Sequence, residues 1–442
     1  MRYIKLSTDF LLKEAVSGLF YLYNKRTCKR YTISGKLWHF LHLYKYGCYD
    51  LKGMFSYLNG KGIITSDIEN CCNDKRFNNL FVSTNVIKHS SMISRPHGLP
   101  VFTETVPDKI DFVITRHCNL QCKHCFEQSS PSVGVKEIDQ SALFDLFDQM
   151  ELLDVQTLKI TGGEPLTSPN IRDVIKNIVG RRLECLILTN GMLLDDELIS
   201  LISKGAIKLG ISLDGISEET HDFIRGKGTF RILFENLHKL KQANINFSIT
   251  TSLNKKNYRE IKDICHYVVE DLHASRLFIN QLKPLGRAQY NKSIFLTKEE
   301  YKKTLPLIED LRNYYGDEKV TVSDDRMLDA SNDDPNLQEG TPIVCAAGNS
   351  TLSIDENLNV YPCVYGNGIV DYKIGNLHES KLFDIWNSSG WDKFRGDVKL
   401  RDLEGCRDCR YNQKCAMKNC RLKPVYNGQS FLSHVKYCQA YN

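Results

Sequence analysis

Three cysteines, Cys118, Cys122 and Cys125, stand in the run Thr-Arg-His-Cys-Asn-Leu-Gln-Cys-Lys-His-Cys-Phe, a C-x3-C-x2-C loop. Three thiolates hold three irons of a cubane cluster whose usual complement is four cysteine ligands, so one iron is left open for a substrate or cofactor. The alternative is a structural zinc knuckle. That site is closed and four-coordinate, and His117 or His124 would have to supply its fourth ligand.

Shortly downstream comes Gly162-Gly163-Glu164-Pro165. This pair of motifs resembles the radical S-adenosylmethionine (radical SAM) superfamily. The resemblance implies that Cys118, Cys122 and Cys125 bind a [4Fe-4S] cluster whose open iron chelates the amino and carboxylate groups of SAM. One electron entering the sulfonium breaks a C–S bond, and the resulting 5′-deoxyadenosyl radical removes hydrogen from an unactivated C–H. The protein's part is positioning, redox tuning and exclusion of water.

The same resemblance implies roles for SAM-binding residues. Gly162 and Gly163 let the backbone approach the methionine, where a Cβ would obstruct. Glu164 accepts from the SAM ammonium. Ser212 matches a position that contacts methionine or ribose, and Arg225, in His221-Asp222-Phe223-Ile224-Arg225-Gly226, one that pairs with the SAM carboxylate. His124 fills the usually aromatic slot near adenine, and Asn190 is placed to hold the ribose. The run Pro284-Leu285-Gly286-Arg287-Ala288 is similar to a further family signature whose backbone lies near adenine. An ordinary loop carboxylate and a surface arginine are the bland alternatives for Glu164 and Arg225.

A second cysteine field begins at Cys345-Ala346-Ala347-Gly348 and Val360-Tyr361-Pro362-Cys363. It continues with Cys406, Cys409, Cys415, Cys420 and Cys438. These seven cysteines resemble the SPASM extension, which carries two auxiliary iron–sulfur clusters. By motif order Cys345, Cys363 and Cys420 would hold the first, and Cys406, Cys409, Cys415 and Cys438 the second. The spacing before Cys420 is x4 where the family usually has x3, so one residue must bulge. A family glycine is replaced by Leu358, with Asn357 expected to take the left-handed position. No fourth cysteine for the first auxiliary cluster is evident. A zinc ribbon is the alternative for residues 406–420 taken alone.

From Asp111 onward the chain is periodic. Strands are predicted at 112–115, 157–161, 185–189, 207–213, 246–251 and 277–281, with helices at 141–153, 169–178, 195–203, 230–242 and 258–270. Strand–helix alternation argues for βαβ units and a parallel sheet. The fold expected is α/β: a partial (β/α)6, TIM-like radical SAM barrel, with chemistry at the C-terminal strand ends. The expected domains are residues 1–90, a linker at 91–108, the core at 109–310, and a bridging region plus SPASM domain at 311–442.

Residues 18–33 read as a hairpin, followed by helical patterns at 34–46 and 51–58, a winged-helix-like module. It resembles the front domain of peptide-modifying enzymes, which binds a leader peptide as an added strand. Residues 1–60 carry ten Lys or Arg against three Asp or Glu, a local +7 in a chain whose net charge is only +5. This asymmetry suits an acidic peptide, and equally the DNA of a winged-helix regulator.

With 42% apolar and 25% charged residues, no secretory h-region and no spanning apolar run, the chain reads as cytoplasmic, without membrane or nucleic-acid partners. Its clustered cysteines then read as metal ligands rather than disulfides. Cys28, Cys48, Cys71, Cys72, Cys185 and Cys265 read as core or incidental thiols. The resemblance as a whole is to ribosomal-peptide maturases, sactisynthase-like enzymes among them. It implies an oxidative cross-link, thioether or C–C/C–O, installed in a precursor peptide, with electrons from a reductant such as flavodoxin or ferredoxin. The alternatives are a sulfatase-maturing formylglycine former, a peptide epimerase, a peptide-derived cofactor maturase, or a DNA-binding iron–sulfur regulator. The formylglycine family carries an Asp directly after its Pro-Cys cysteine, where Val364 stands here. No catalytic base is marked by spacing.

Overall fold

A computed structural model of the chain describes residues 106–323 and 343–435, apart from 154, 156, 182, 344, 396–397, 410–411 and 413–419. Of residues 1–105 it describes the backbone of seven strands. The chain divides into two compact units, Met1–Asp108 and Lys109–Asn442.

In the first unit, β1 (Tyr3–Leu6) pairs antiparallel with β5 (Phe81–Thr84). Strands β2 (Phe10–Glu14), β3 (Phe20–Asn24) and β4 (Lys29–Ile33) form an antiparallel meander, and β6 (Ile93–Ser94) pairs with β7 (Pro100–Val101). The hairpin expected at 18–33 is the β3–β4 pair, in register Phe20↔Ile33. The helices expected at 34–46 and 51–58 lie outside the described residues, as do Cys28, Cys48, Cys71 and Cys72.

The second unit is built on one ten-stranded sheet. All six predicted strands are present: β8 (Lys109–Thr115), β9 (Thr157–Gly162), β10 (Glu184–Thr189), β11 (Ile207–Ser212), β12 (Phe247–Leu253) and β13 (Leu277–Gln281). They lie parallel in sequence order, and a seventh, β14 (Val320–Ser323), extends the row. On the other side of β8 lies β15 (Thr351–Ile354), also parallel, then the antiparallel β16 (Asn359–Tyr361) and β17 (Gly375–Asn376). The second cysteine field therefore enters the sheet of the first.

Helices α1 (Gln140–Leu152), α2 (Ile171–Arg181), α3 (Asp196–Ile202), α4 (Glu218–Arg225), α5 (Thr229–Gln242) and α6 (Ile261–His266) alternate with the strands. Their apolar stripes meet the strand side chains in one core that includes Phe112, Ile114, Ile160, Ile187, Leu209 and Ile249. Cys185 and Cys265 are buried in it. Helix α4 was not predicted, although its signals are ordinary: Ser217 caps Thr220 N, Glu218 and Glu219 occupy the first turn, and Gly226 ends it with φ +120°. Helix α7 (Lys298–Tyr315) was also not predicted, and it opens with a capping box of Thr297 and Glu300.

Beyond the sheet, α8 (Leu382–Trp386) packs Trp386 against Trp391, both fully buried, with Trp391 Nε1 donating to Ile385 O at 2.7 Å. Helix α9 (Leu422–Tyr426) follows Cys420. Leu358 itself takes the left-handed turn with φ +59°, not Asn357 as expected. Asp355 buries its carboxylate among Asn357 N, Asn359 N and Asn359 Nδ2, which holds that turn whatever residue occupies it. No helix among the described residues is long and apolar enough to cross a membrane.

Candidate active site

The parallel strands end on one side, and the loops after β8, β9, β10 and β11 bring the predicted residues together there. Cys118 and Cys122 are buried and Cys125 is half-buried, just after β8. Burial pushes the Cys118 thiol up to about 12, with the neighbouring Cys122 and Cys125 adding to the rise against one backbone hydrogen bond. Burial likewise raises Cys122, while the Arg225 guanidinium pulls it down. Thiols raised in this way, as Cys118 and Cys122 are, give up their protons readily to a strongly charged metal ligand. This donor set fits an iron–sulfur cluster. Among the described residues no three Cys, His, Asp or Glu side chains are gathered as a single metal ion would gather them.

Gly163 N donates to Thr115 O at 2.8 Å and Glu164 N to His117 O at 2.9 Å, which fastens the loop after β9 to the start of the cysteine loop. A Cβ on Gly162 would run into Thr115 O, and one on Gly163 into His117 O. The glycines are thus required by the chain's own backbone, independently of any bound molecule.

Glu164 is 1% exposed. Its carboxylate accepts from Leu166 N at 3.0 Å, Thr189 Oγ1 at 2.7 Å and Asn190 N at 2.7 Å. Burial pushes this carboxyl up and those three bonds pull it back. A carboxylate has about four acceptor sites, so roughly one stays free for a further donor. The sequence reading gave Thr189 no role, although it ends β10 just before Asn190. The Asn190 side chain donates to Asn119 Oδ1 at 2.8 Å and accepts from Met192 N at 3.0 Å.

Ser212 ends β11, half-buried. Two residues on, Asp214 is fully buried, and sequence reasoning had given it no role. It accepts from Arg225 Nε at 2.7 Å and Ser252 N at 2.6 Å, and His124 Nε2 lies 3.8 Å away. Burial opposes its charge, but Arg225, His124 and His221 hold its carboxyl below the usual range. Arg225 is therefore no surface arginine: it is 8% exposed and aimed by Asp214 beside Cys122. His221 Nδ1 accepts from Asp214 N at 3.1 Å. His124 is half-buried, and its burial lowers it to about 4.

The run at 284–288 grips the cysteine loop itself. Arg287 N donates to Cys125 O at 2.8 Å, while its guanidinium donates to Cys122 O and Ser129 O, each at 2.6 Å. From α9, the Tyr426 hydroxyl donates to Phe126 O at 2.7 Å. The Phe126 ring meets Tyr426 at 4.6 Å and Tyr365 at 4.9 Å. Close by, Arg116 pairs with Glu356 at 3.3 Å. Burial pushes the Glu127 carboxyl up to about 7 against the pull of Arg116.

In the second field, Cys345, Cys363 and Cys420 are brought near one another, with Cys420 raising both Cys345 and Cys363 and Cys345 raising Cys363. Burial raises Cys345 and pushes Cys363 up to about 12. Cys406 and Cys409 share a turn in which Cys409 N donates to Cys406 O at 3.2 Å. Cys415 and Cys438, and with them the bulge expected before Cys420, lie outside the described residues.

Residues 112–268 match the Radical SAM superfamily, and residues 345–410 match the SPASM iron–sulfur cluster-binding domain. An AdoMet-dependent heme synthase of Oleidesulfovibrio alaskensis is 26% identical over 74% of this chain and 86% of its own. The antilisterial bacteriocin subtilosin biosynthesis protein AlbA of Bacillus subtilis is 28% identical over 72% of this chain and 68% of its own. The fold is that of Streptococcus suis SuiB, whose crystal structure with its precursor peptide SuiA superposes at a TM-score of 0.70. That match spans 99% of this chain and 100% of SuiB at 15% identity. The chain belongs to the radical SAM enzymes with a SPASM extension, which bind S-adenosylmethionine, a [4Fe-4S] cluster and auxiliary iron–sulfur clusters.

Proposed function

We propose that this enzyme installs an oxidative intramolecular cross-link, a thioether or a C–C or C–O bond, in a ribosomally made precursor peptide. The observation that carries the reading is the presence of two separate sets of buried or half-buried thiols in one unit: Cys118, Cys122 and Cys125 after β8, and Cys345, Cys363 and Cys420 in the second cysteine field. Closing a bond after one hydrogen atom is removed requires loss of a second electron, which a second cluster in the same unit would take. The likeness to AlbA and the whole-chain fold shared with SuiB support a peptide substrate.

In this reading Cys118, Cys122 and Cys125 hold the SAM-binding cluster. Cys345, Cys363 and Cys420 hold the first auxiliary cluster, and Cys406, Cys409, Cys415 and Cys438 the second. Bound together, cluster and SAM supply an organic radical that abstracts hydrogen. The chain's own residues bind and orient. Glu164, anchored by Thr189 and Asn190, offers its remaining acceptor capacity to the SAM ammonium. Arg225, aimed by Asp214, presents its guanidinium to the carboxylate. Ser212 and Asn190 line the ribose side, and His124 forms the wall at adenine. The basic front unit holds the acidic leader by strand addition, and a small acidic electron carrier supplies reductant.

A tetrapyrrole substrate is the second reading, favoured by the likeness to heme synthases. Those matches leave about a quarter of this chain uncovered, whereas the SuiB fold takes in nearly all of it. The deciding experiment is anaerobic incubation of the reconstituted enzyme with SAM, a reductant and a precursor peptide encoded beside its gene. Loss of one or more hydrogen pairs from the peptide is expected. An unchanged mass with 5′-deoxyadenosine still formed would overturn the cross-linking reading and leave epimerisation or the tetrapyrrole to test.

A further inference from the structure

The backbone carbonyls of the cysteine loop are satisfied from an unexpected direction. Behind β13, the single turn Gly286–Tyr290 reaches back to a loop more than 150 residues earlier in the chain. Gly286, at φ +56°, lies so close that a Cβ would strike Phe126 O and stand 2.6 Å from Cys125 O. Arg287 N takes the Cys125 carbonyl, and the two ends of its guanidinium take those of Cys122 and Ser129. Asn291 Nδ2 donates to Lys123 O at 3.1 Å and ties itself back to Arg287 O at 3.0 Å. Four carbonyls of residues 122–129 are thereby satisfied by one short segment.

The donor geometry requires arginine. Cys122 O and Ser129 O are bridged by one planar fork with fixed spacing, which a lysine ammonium on a flexible stem does not reproduce. Among the described residues no carboxylate pairs with Arg287, in contrast to Arg225, which is neutralised by Asp214. A permanent positive charge therefore rests against the loop that carries the thiols. Cationic surroundings and donors near a cluster favour its reduced form.

We propose that Arg287 is the positioning residue of the SAM-binding cluster: it fixes the backbone of Cys122 and Cys125 and, as an unneutralised charge, raises the cluster's reduction potential. The proposal applies to any substrate of the enzyme. It rests on the assignment of Cys118, Cys122 and Cys125 to that cluster, which a Cys118→Ala/Cys122→Ala/Cys125→Ala protein tests separately by loss of the SAM-responsive cluster signal.

The test compares Arg287→Gln, Arg287→Lys and Asn291→Ala in the full-length reconstituted protein. It uses iron content, redox titration followed by electron paramagnetic resonance, and SAM binding. Arg287→Gln is expected to move the midpoint of the SAM-responsive signal negative, by 59 mV for each tenfold loss in favour of the reduced state, and to weaken SAM binding. The auxiliary signals should stay in place. Arg287→Lys keeps the charge without the fork, so its midpoint should stay near wild type while iron occupancy of that one cluster falls. Asn291→Ala, which loses the bonds to Lys123 O and Arg287 O but keeps the guanidinium fork, should show a smaller fall in occupancy. If Arg287→Gln retains full iron, an unshifted midpoint and wild-type SAM affinity, the proposal is wrong. If Arg287→Gln does not fold, an Arg287→Lys protein with wild-type occupancy overturns it equally.

Discussion

Replacing Gly163 with alanine adds one methyl group at the point where two functional loops touch. Its Cβ would run into His117 O and stand 2.6 Å from the His117 carbonyl carbon and 2.8 Å from Arg116 O. Every one of these atoms is backbone, so no side chain can rotate away. Ordinary carbon–carbon contact is roughly 3.5–4.0 Å, so the loops must part by about 1 Å. That movement stretches both bonds fastening them, Gly163 N to Thr115 O and Glu164 N to His117 O. Overpacking costs about 1–3 kcal/mol, and each of the two weakened hydrogen bonds adds about 0.5–1.5 kcal/mol, for a total on the order of 2–6 kcal/mol. The displaced segment leads directly into Cys118, and misplacement of reacting groups by about 1 Å costs on the order of 100-fold in rate. Urea denaturation of the apoprotein should therefore show a lower midpoint, and the reconstituted protein should make 5′-deoxyadenosine at least tenfold more slowly. A Gly163→Ala protein with wild-type stability, iron content and SAM cleavage would refute the reasoning from backbone crowding.

Other predictions follow from the geometry. Asp214→Asn strips the counter-charge from the buried Arg225, and breaking a buried pair this way costs about 3–5 kcal/mol; a loss under 1 kcal/mol by denaturant titration would contradict the pair's role. Trp391→Ala should destabilise the C-terminal part by about 3–5 kcal/mol, since the ring is fully buried against Trp386; an unchanged thermal midpoint would argue against that packing. Glu300, hydrogen-bonded by Lys255 and capping α7, has its carboxyl lowered from 4.5 to about 2. Because the folded value is the lower one, its contribution is present above pH 4.5 and lost as pH falls towards 2. The stability gap between wild type and Glu300→Gln should close across that window, and a gap that persists at pH 2 would count against it. Cys409→Ala should leave uncoupled 5′-deoxyadenosine formation intact yet stop product formation, and normal peptide modification by that variant would remove the electron-relay role.

The barrel strands and most helices were legible because burial on both faces and regular alternation leave a strong periodic signal. Helix α4 was not, since its eight residues include only two large apolar side chains, Phe223 and Ile224, and its caps are its clearest mark. Leu358 was misjudged for a related reason. Propensity favoured Asn357 for the left-handed turn, but the bonds to Asp355 fix the turn by position rather than by residue type. In the site, motif spacing marked the segments at the strand ends and gave no role to the residues that brace them. Thr189, Asp214 and the grip of Arg287 act through contacts between distant segments, and no local pattern in a single chain records such partners.

The contact of Phe126 with Tyr365 and Tyr426, together with the pairing of β15 with β8, bears on how such enzymes can be rebuilt. A cut placed before residue 343 would take away a strand beside β8 and the hydroxyl that holds Phe126, not merely a tail with extra clusters. Chimaeras that graft one enzyme's core onto another's tail must therefore carry the matching aromatic seam with the tail.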